Sequence, residues 1–168
     1  MRAAPNGSKV VALAELAARR AGFAAAGRKV VLTNGCFDLL HIGHIGYLEQ
    51  AAGLGDLLIV ALNSDESVRR LKGAQRPLVP EAERAQILAA LGCVDFVTVF
   101  DQDTPERVYR LLRPDILVKG GDWKPDQLPG REIIQEYGGA IVILPYREGI
   151  STTALVARIQ NHDPRRPG

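Results

Sequence analysis

Short apolar runs recur along this chain, and most are separated by stretches long enough for a helix. The five runs are KVVLTN at 29 to 34, LLIVALN at 57 to 63, VDFVTVF at 94 to 100, DILVKG at 115 to 120 and AIVIL at 140 to 144. They are rich in Val, Ile and Leu and show little polar alternation, which is the pattern of strands buried on both faces. Parallel neighbours need long crossovers, usually helical, and the intervening segments supply them. The chain is therefore predicted to be α/β: a Rossmann-like doubly wound parallel sheet of about five strands with helices on both faces.

The helices are expected at 9 to 26, 41 to 54, 80 to 92, 104 to 114, 131 to 139 and 151 to 160. Ser8 and Gly27 stand where the first would be capped and stopped, and Thr104 and Pro105 where the fourth would have its N-cap and first turn. The first helix is free to pack on its own sheet or on a partner, so a homo-oligomer stays open. A length of 168 residues fits one domain. Its parts are an N-terminal helical segment at 1 to 27, a core at 28 to 160 and a loose tail at 161 to 168.

Charge and cysteine content narrow the classes. A net charge of +2 is too weak to argue for nucleic acid or a membrane surface as partner. The longest aliphatic runs, such as LLIVAL, are far too short to cross a bilayer. Cys36 and Cys93 make no disulfide framework, and MRAAPNGSKV lacks the apolar centre of a secretory leader. The expectation is a cytoplasmic protein with reduced thiols.

Ligands of doubly wound sheets bind beyond the carboxyl ends of the strands. The segments there, TNGCFD, NSDE, VFDQD, VKGGDW and PYREGISTT, are all polar or glycine-rich. TNGCFDLLHIGH, at 33 to 44, holds two of the three histidines at the mouth of a helix. A helix start there offers free backbone N–H groups and the positive end of a dipole, which together favour an anion. Gly35 and Gly43 allow close approach of backbone to a ligand. His41 and His44, three apart, would share a helix face. Two imidazoles at such a turn suit a polyphosphate better than a metal, because no third ligand stands at a recognised spacing. No metal-ligating residues are assigned.

TNGCFDLLHIGH resembles the (T/S)xGxFDxxHxGH motif of the HxGH nucleotidyltransferases, which attach a nucleotide monophosphate to a phosphate group. GISTT at 149 to 153 resembles their second motif. Within that superfamily NSDESVRRLKG, RP at 76 to 77, LVKGGDWKPD and the closing STT are similar to the heptose-1-phosphate adenylyltransferases, over roughly residues 28 to 160. The resemblance implies AMP transfer from ATP to heptose 1-phosphate, releasing pyrophosphate, for lipopolysaccharide synthesis. Mg²⁺ would accompany the ATP, held largely by the triphosphate and water.

On that resemblance, His41, His44 and Lys72 are the catalytic candidates, Lys72 reaching both reacting phosphates from the loop after the second strand. Thr33, Asn34, Gly35, Cys36, Phe37, Gly43, Lys119, Gly120, Gly149, Ile150, Ser151, Thr152 and Thr153 would hold the nucleotide, with the backbone of 34 to 37 bordering it and the hydroxyls of 151 to 153 at the outer phosphates. Asp38, Asn63, Asp65, Arg84, Asp122 and Trp123 would meet the second substrate. Tyr146 stands where the related glycerol-phosphate cytidylyltransferases carry an arginine. The alternatives are a cytidylyltransferase for a polyol or amino-alcohol phosphate and a non-catalytic nucleotide-binding module. No GxGxxG follows the first strand, which argues against a dinucleotide oxidoreductase.

Overall fold

The computed structural model describes residues 9–121, 127–145 and 152–161. Five strands form one parallel sheet: β1 (Val30–Gly35), β2 (Leu57–Asn63), β3 (Phe96–Phe100), β4 (Ile116–Gly120) and β5 (Ala140–Leu144). Their spatial order is β3-β2-β1-β4-β5. The chain runs outward from β1 through β2 to β3, then crosses back to place β4 on the other side of β1. The topological switch point thus lies between β1 and β4, where such sheets hold ligands.

The helices are α1 (Leu13–Ala25), α2 (Ile42–Ala52), α3 (Asp65–Lys72), α4 (Glu81–Ala90), α5 (Glu106–Leu112), α6 (Arg131–Glu136) and α7 (Thr152–Gln160). Alternate residues of β1 point to opposite faces, and each face has its own core. Val30 and Leu32 join Leu16 of α1, Val108 and Leu112 of α5 and Ile134 of α6. Val31 joins Leu48 of α2 and Leu88 of α4 on the other side. All seven residues of β2 are buried, which explains its unbroken apolar sequence.

Three expectations about elements need correction. The first helix starts at Leu13, not at residue 9, and Ser8 lies outside the described residues. Residues 9 to 11 run along the β3 edge: Val11 N donates to Val97 O at 2.9 Å and Val97 N to Lys9 O at 2.8 Å. The Lys9 ammonium donates to Leu91 O and Val94 O, which pins this segment to the sheet. At α5 the N-cap is Pro105 rather than Thr104, because the Pro105 carbonyl accepts the first helical bond, from Tyr109 N. The segment after β2 is a helix, α3, rather than a loop. Its N-cap Ser64 accepts from Ser67 N, Asp65 and Glu66 fill its first turn, and basic residues fill its last. The first helix packs on its own sheet, burying Leu16 completely.

Candidate functional site

The motif turn leaves β1 at Gly35 and enters α2 with His41 as its N-cap. Phe37 adopts a left-handed backbone (φ 44°), which L residues rarely occupy. That turn swings its ring under Gly35, where an added Cβ would lie 3.2 Å from the ring. A side chain at Gly35 would make the Phe37 ring give by a few tenths of an ångström. The Phe37 ring in turn lies 5.4 Å from that of His44.

His41 is extended (φ −141°), not helical, yet its ring stacks on His44 with centroids 3.9 Å apart. Burial lowers the pKa of both imidazoles, and for His44 the neighbouring His41 adds to the effect and takes the value down to about 4. Both are neutral at pH 7, each with one N–H donor. Their Nδ1 atoms are shut off from solvent without a hydrogen-bond partner. Buried polar atoms of this kind are uncommon and call for an explanation.

Around the turn, five side chains named from the sequence, Asp38, Arg84, Asn63, Asp65 and Thr33, are tied to partners within the protein. Asp38 is buried; its Oδ1 accepts from Leu78 N and Val79 N, and its Oδ2 lies 2.6 Å from Arg76 Nε. It orders the turn by tying it to the loop before α4. Arg84 is not a surface residue but 1% exposed. Its guanidinium donates to Val79 O at 2.8 Å, Cys36 O at 2.6 Å, Asn63 O at 2.9 Å and Asp65 Oδ1 at 2.6 Å. It joins the ends of β1 and β2 to α3. Asn63 donates to Ser67 Oγ, and Asp65 is the Arg84 partner. Thr33, 1% exposed, lies 2.6 Å from the Tyr47 hydroxyl, which donates to Val118 O. That contact spends the Thr33 side chain on the core.

Lys72 is the last residue of α3 and is exposed, followed by Gly73 with φ 99°. Burial pushes the Cys36 thiol pKa up, and the charges of Lys72, Arg84 and Arg76 oppose that rise. At the β4 end, Lys119 donates to Asn34 Oδ1 at 2.6 Å and Asn34 O at 3.3 Å. Burial brings the Lys119 pKa down to about 8. The first turn of α7 is next to the motif, since Thr152 Oγ1 donates to Leu39 O at 3.3 Å. The fold thus gathers His41, His44, Asn34, Cys36, Lys119 and Thr152 around the β1–β4 switch point. Asp122, Trp123, Gly149, Ile150 and Ser151, and Tyr146 with them, lie outside the described residues.

Tyr47, Arg76 and Tyr109 also serve this site; from sequence the tyrosines carry no assigned role, and Arg76 none beyond its place in RP. Tyr47 lies on α2 and Tyr109 on α5. Their hydroxyl partners lie 71 positions away for Tyr47 (Val118) and 75 for Tyr109 (Asn34).

A paired-histidine turn at the switch point of a 3-2-1-4-5 parallel sheet defines an α/β protein of the HxGH nucleotidyltransferase type. Residues 32–158 match the family described as Cytidylyltransferase-like, and the chain belongs to that family. It is 57% identical over 134 residues to the bifunctional protein HldE of Geotalea uraniireducens, covering 80% of this chain and 27% of that protein. With the bifunctional protein HldE of Geobacter sulfurreducens it shares 52% over 152 residues, or 90% and 31% of the two chains. The chain thus spans about a third or less of these relatives. Among solved structures it resembles a lipopolysaccharide core biosynthesis protein from Thermoplasma volcanium, with TM-score 0.60, 30% identity, and 72% and 98% of the two chains covered. A pantoate-beta-alanine ligase from Francisella tularensis shares the fold, with TM-score 0.62, 14% identity and 92% and 73% covered.

Proposed function

We propose that this protein transfers AMP from ATP to D-glycero-β-D-manno-heptose 1-phosphate, giving ADP-heptose and pyrophosphate for lipopolysaccharide core synthesis. The observation that carries the reading is the stacked, neutral His41–His44 pair at the start of α2, at the β1–β4 switch point. The likeness to HldE proteins and to a lipopolysaccharide core biosynthesis protein supports the substrate class.

The sugar phosphate is already an anion, so its oxygen needs no strong base to attack the α-phosphorus in line. The obstacle is repulsion between two anions, so catalysis rests on positioning and charge neutralisation. His41 and His44 donate to the α-phosphate and the bridging oxygen. The α2 N-terminus adds its dipole. Lys72 approaches from the end of α3 to meet both phosphates. Thr152 and Thr153 serve the outer phosphates from the start of α7, with Ser151 beside them in sequence, and the backbone of 34 to 37 together with Lys119 borders the nucleotide.

Mg²⁺ would supply positive charge that neutralises the triphosphate. Among the described residues no group of three His, Cys, Asp or Glu side chains could hold it, and Asp38 and Asp65 are paired with Arg76 and Arg84. The ion would come in on ATP, held largely by the triphosphate and water. No described helix is long and apolar enough to cross a membrane. Free ATP and heptose 1-phosphate are the expected partners.

A pyrophosphate-release panel with ATP, CTP, GTP and UTP against heptose 1-phosphate tests the reading. ATP should be turned over at least tenfold faster than the others. Preference for CTP would transfer the protein to the cytidylyl reading. ATP binding without turnover on any phosphate would make it a nucleotide-binding module.

A further inference from the structure

Two side chains with spare donors meet at the switch point. Asn34 is the last residue but one of β1 and Lys119 the last but one of β4, on neighbouring strands. An ammonium is donor-only, so the amide atom 2.6 Å from Lys119 Nζ must be the Asn34 oxygen. The hydroxyl of Tyr109, fully buried on α5, lies 2.8 Å from the same oxygen and must donate to it as well. Two donors on one oxygen fix the orientation of the amide. Its Nδ2 is turned to the other side, where it makes no hydrogen bond among the described residues. Among the described residues Lys119 finds two acceptors, both on Asn34, which leaves a third N–H.

We infer that Asn34 Nδ2, held in place by Tyr109 and paired with the Lys119 ammonium, is a specificity-determining donor that receives an oxygen acceptor of a bound substrate, a phosphate or ribose oxygen. This goes further than the backbone contact assigned to residue 34 and rests on the proposed transferase function. Tyr109 touches no substrate; it is a positioning residue acting through Asn34.

Asn34→Asp tests this with little change of shape. The carboxylate keeps an oxygen for Tyr109 and Lys119 and exchanges the free donor for a negative oxygen. The variant should fold with an undiminished Tm. By calorimetry its affinity for ATP, for heptose 1-phosphate or for both should fall at least tenfold, and the ligand affected identifies whose oxygen is received. Tyr109→Phe, which loosens the amide without adding charge, should weaken the same ligand about 2- to 10-fold. Undiminished affinity for both ligands in Asn34→Asp overturns the inference while leaving the transferase function intact, provided the wild type turns over. Failure of Asn34→Asp to fold also overturns it, since the oxygen would then not be the anchored end. A wild type that binds neither ligand overturns both readings.

Discussion

Replacing Arg84 with methionine removes a guanidinium that no solvent reaches and that four acceptors share. Methionine refills most of the volume, so the cost is polar. It leaves three carbonyls, those of Val79, Cys36 and Asn63, without this donor, and Asp65 without its ion pair. Hydrogen bonds to charged groups are worth about 1.5–3 kcal/mol each but do not add, and breaking one side of a buried pair typically costs about 3–5 kcal/mol. We expect a loss of about 3–5 kcal/mol, a large share of the stability of an ordinary domain. For a chain of this size that is roughly a 6–20 °C fall in Tm. Urea unfolding at pH 7, followed by far-UV circular dichroism, would show a lower midpoint at unchanged slope. Arg84→Lys should recover only part of the loss, because one ammonium cannot span all four acceptors. A loss below about 1 kcal/mol would refute the claim that Arg84 joins the strand ends, and with it the account of how the motif turn is held.

His44→Ala should fold and bind ATP, yet lower kcat about 10²–10³-fold, as removal of one transition-state donor does; near wild-type turnover would remove it from the chemistry. Lys72→Ala should depress single-turnover rates more than calorimetric ATP affinity, since its charge matters most when the two anions approach; an unchanged single-turnover rate would return Lys72 to the ordinary surface. The folded His44 pKa of about 4 lies below the ordinary 6.5, so between those values the unfolded chain binds more protons and stability falls as pH drops through that window. His44→Asn should lose less Tm than wild type between pH 7 and 4.5, and equal losses would contradict the burial of this ring. Turnover should also decline above about pH 8 as Lys119 gives up its proton, with the basic limb absent in Lys119→Met.

The motif turn could be read from the chain because its parts are neighbours. Gly35, Phe37, His41 and His44 fall within ten positions and pack against each other. The strand 57–63 could be read for a similar reason, since burial on both faces demands an unbroken apolar run; the run at 140–144 is as apolar, though this edge strand is only half-buried. The α3 helix carries a complete set of local signals in Ser64, Asp65, Glu66 and Gly73. It was expected as a loop because only Ser67 and Val68 are buried in it, too few to print an apolar period.

Other features had no local trace. The chain at 9 to 11 lies on an edge created by β3, and its Lys9 acceptors are 82 and 85 positions away. Arg84 on a charged helix looks like a solvated residue until the fold brings Cys36 and Asn63 to it. Tyr109 looks like core until β1 and β4 meet and place Asn34 above it. Periodicity, capping and motif spacing act over a few residues, so the alternation of strands and helices, the paired-histidine turn and the family can be read from the chain alone. Which polar side chains are buried, which are partnered and which still have a donor to offer is settled only once the fold is complete. Those outcomes depend on desolvation and on hydrogen-bond partners supplied by strands distant in the chain, and neither exists until the sheet has formed.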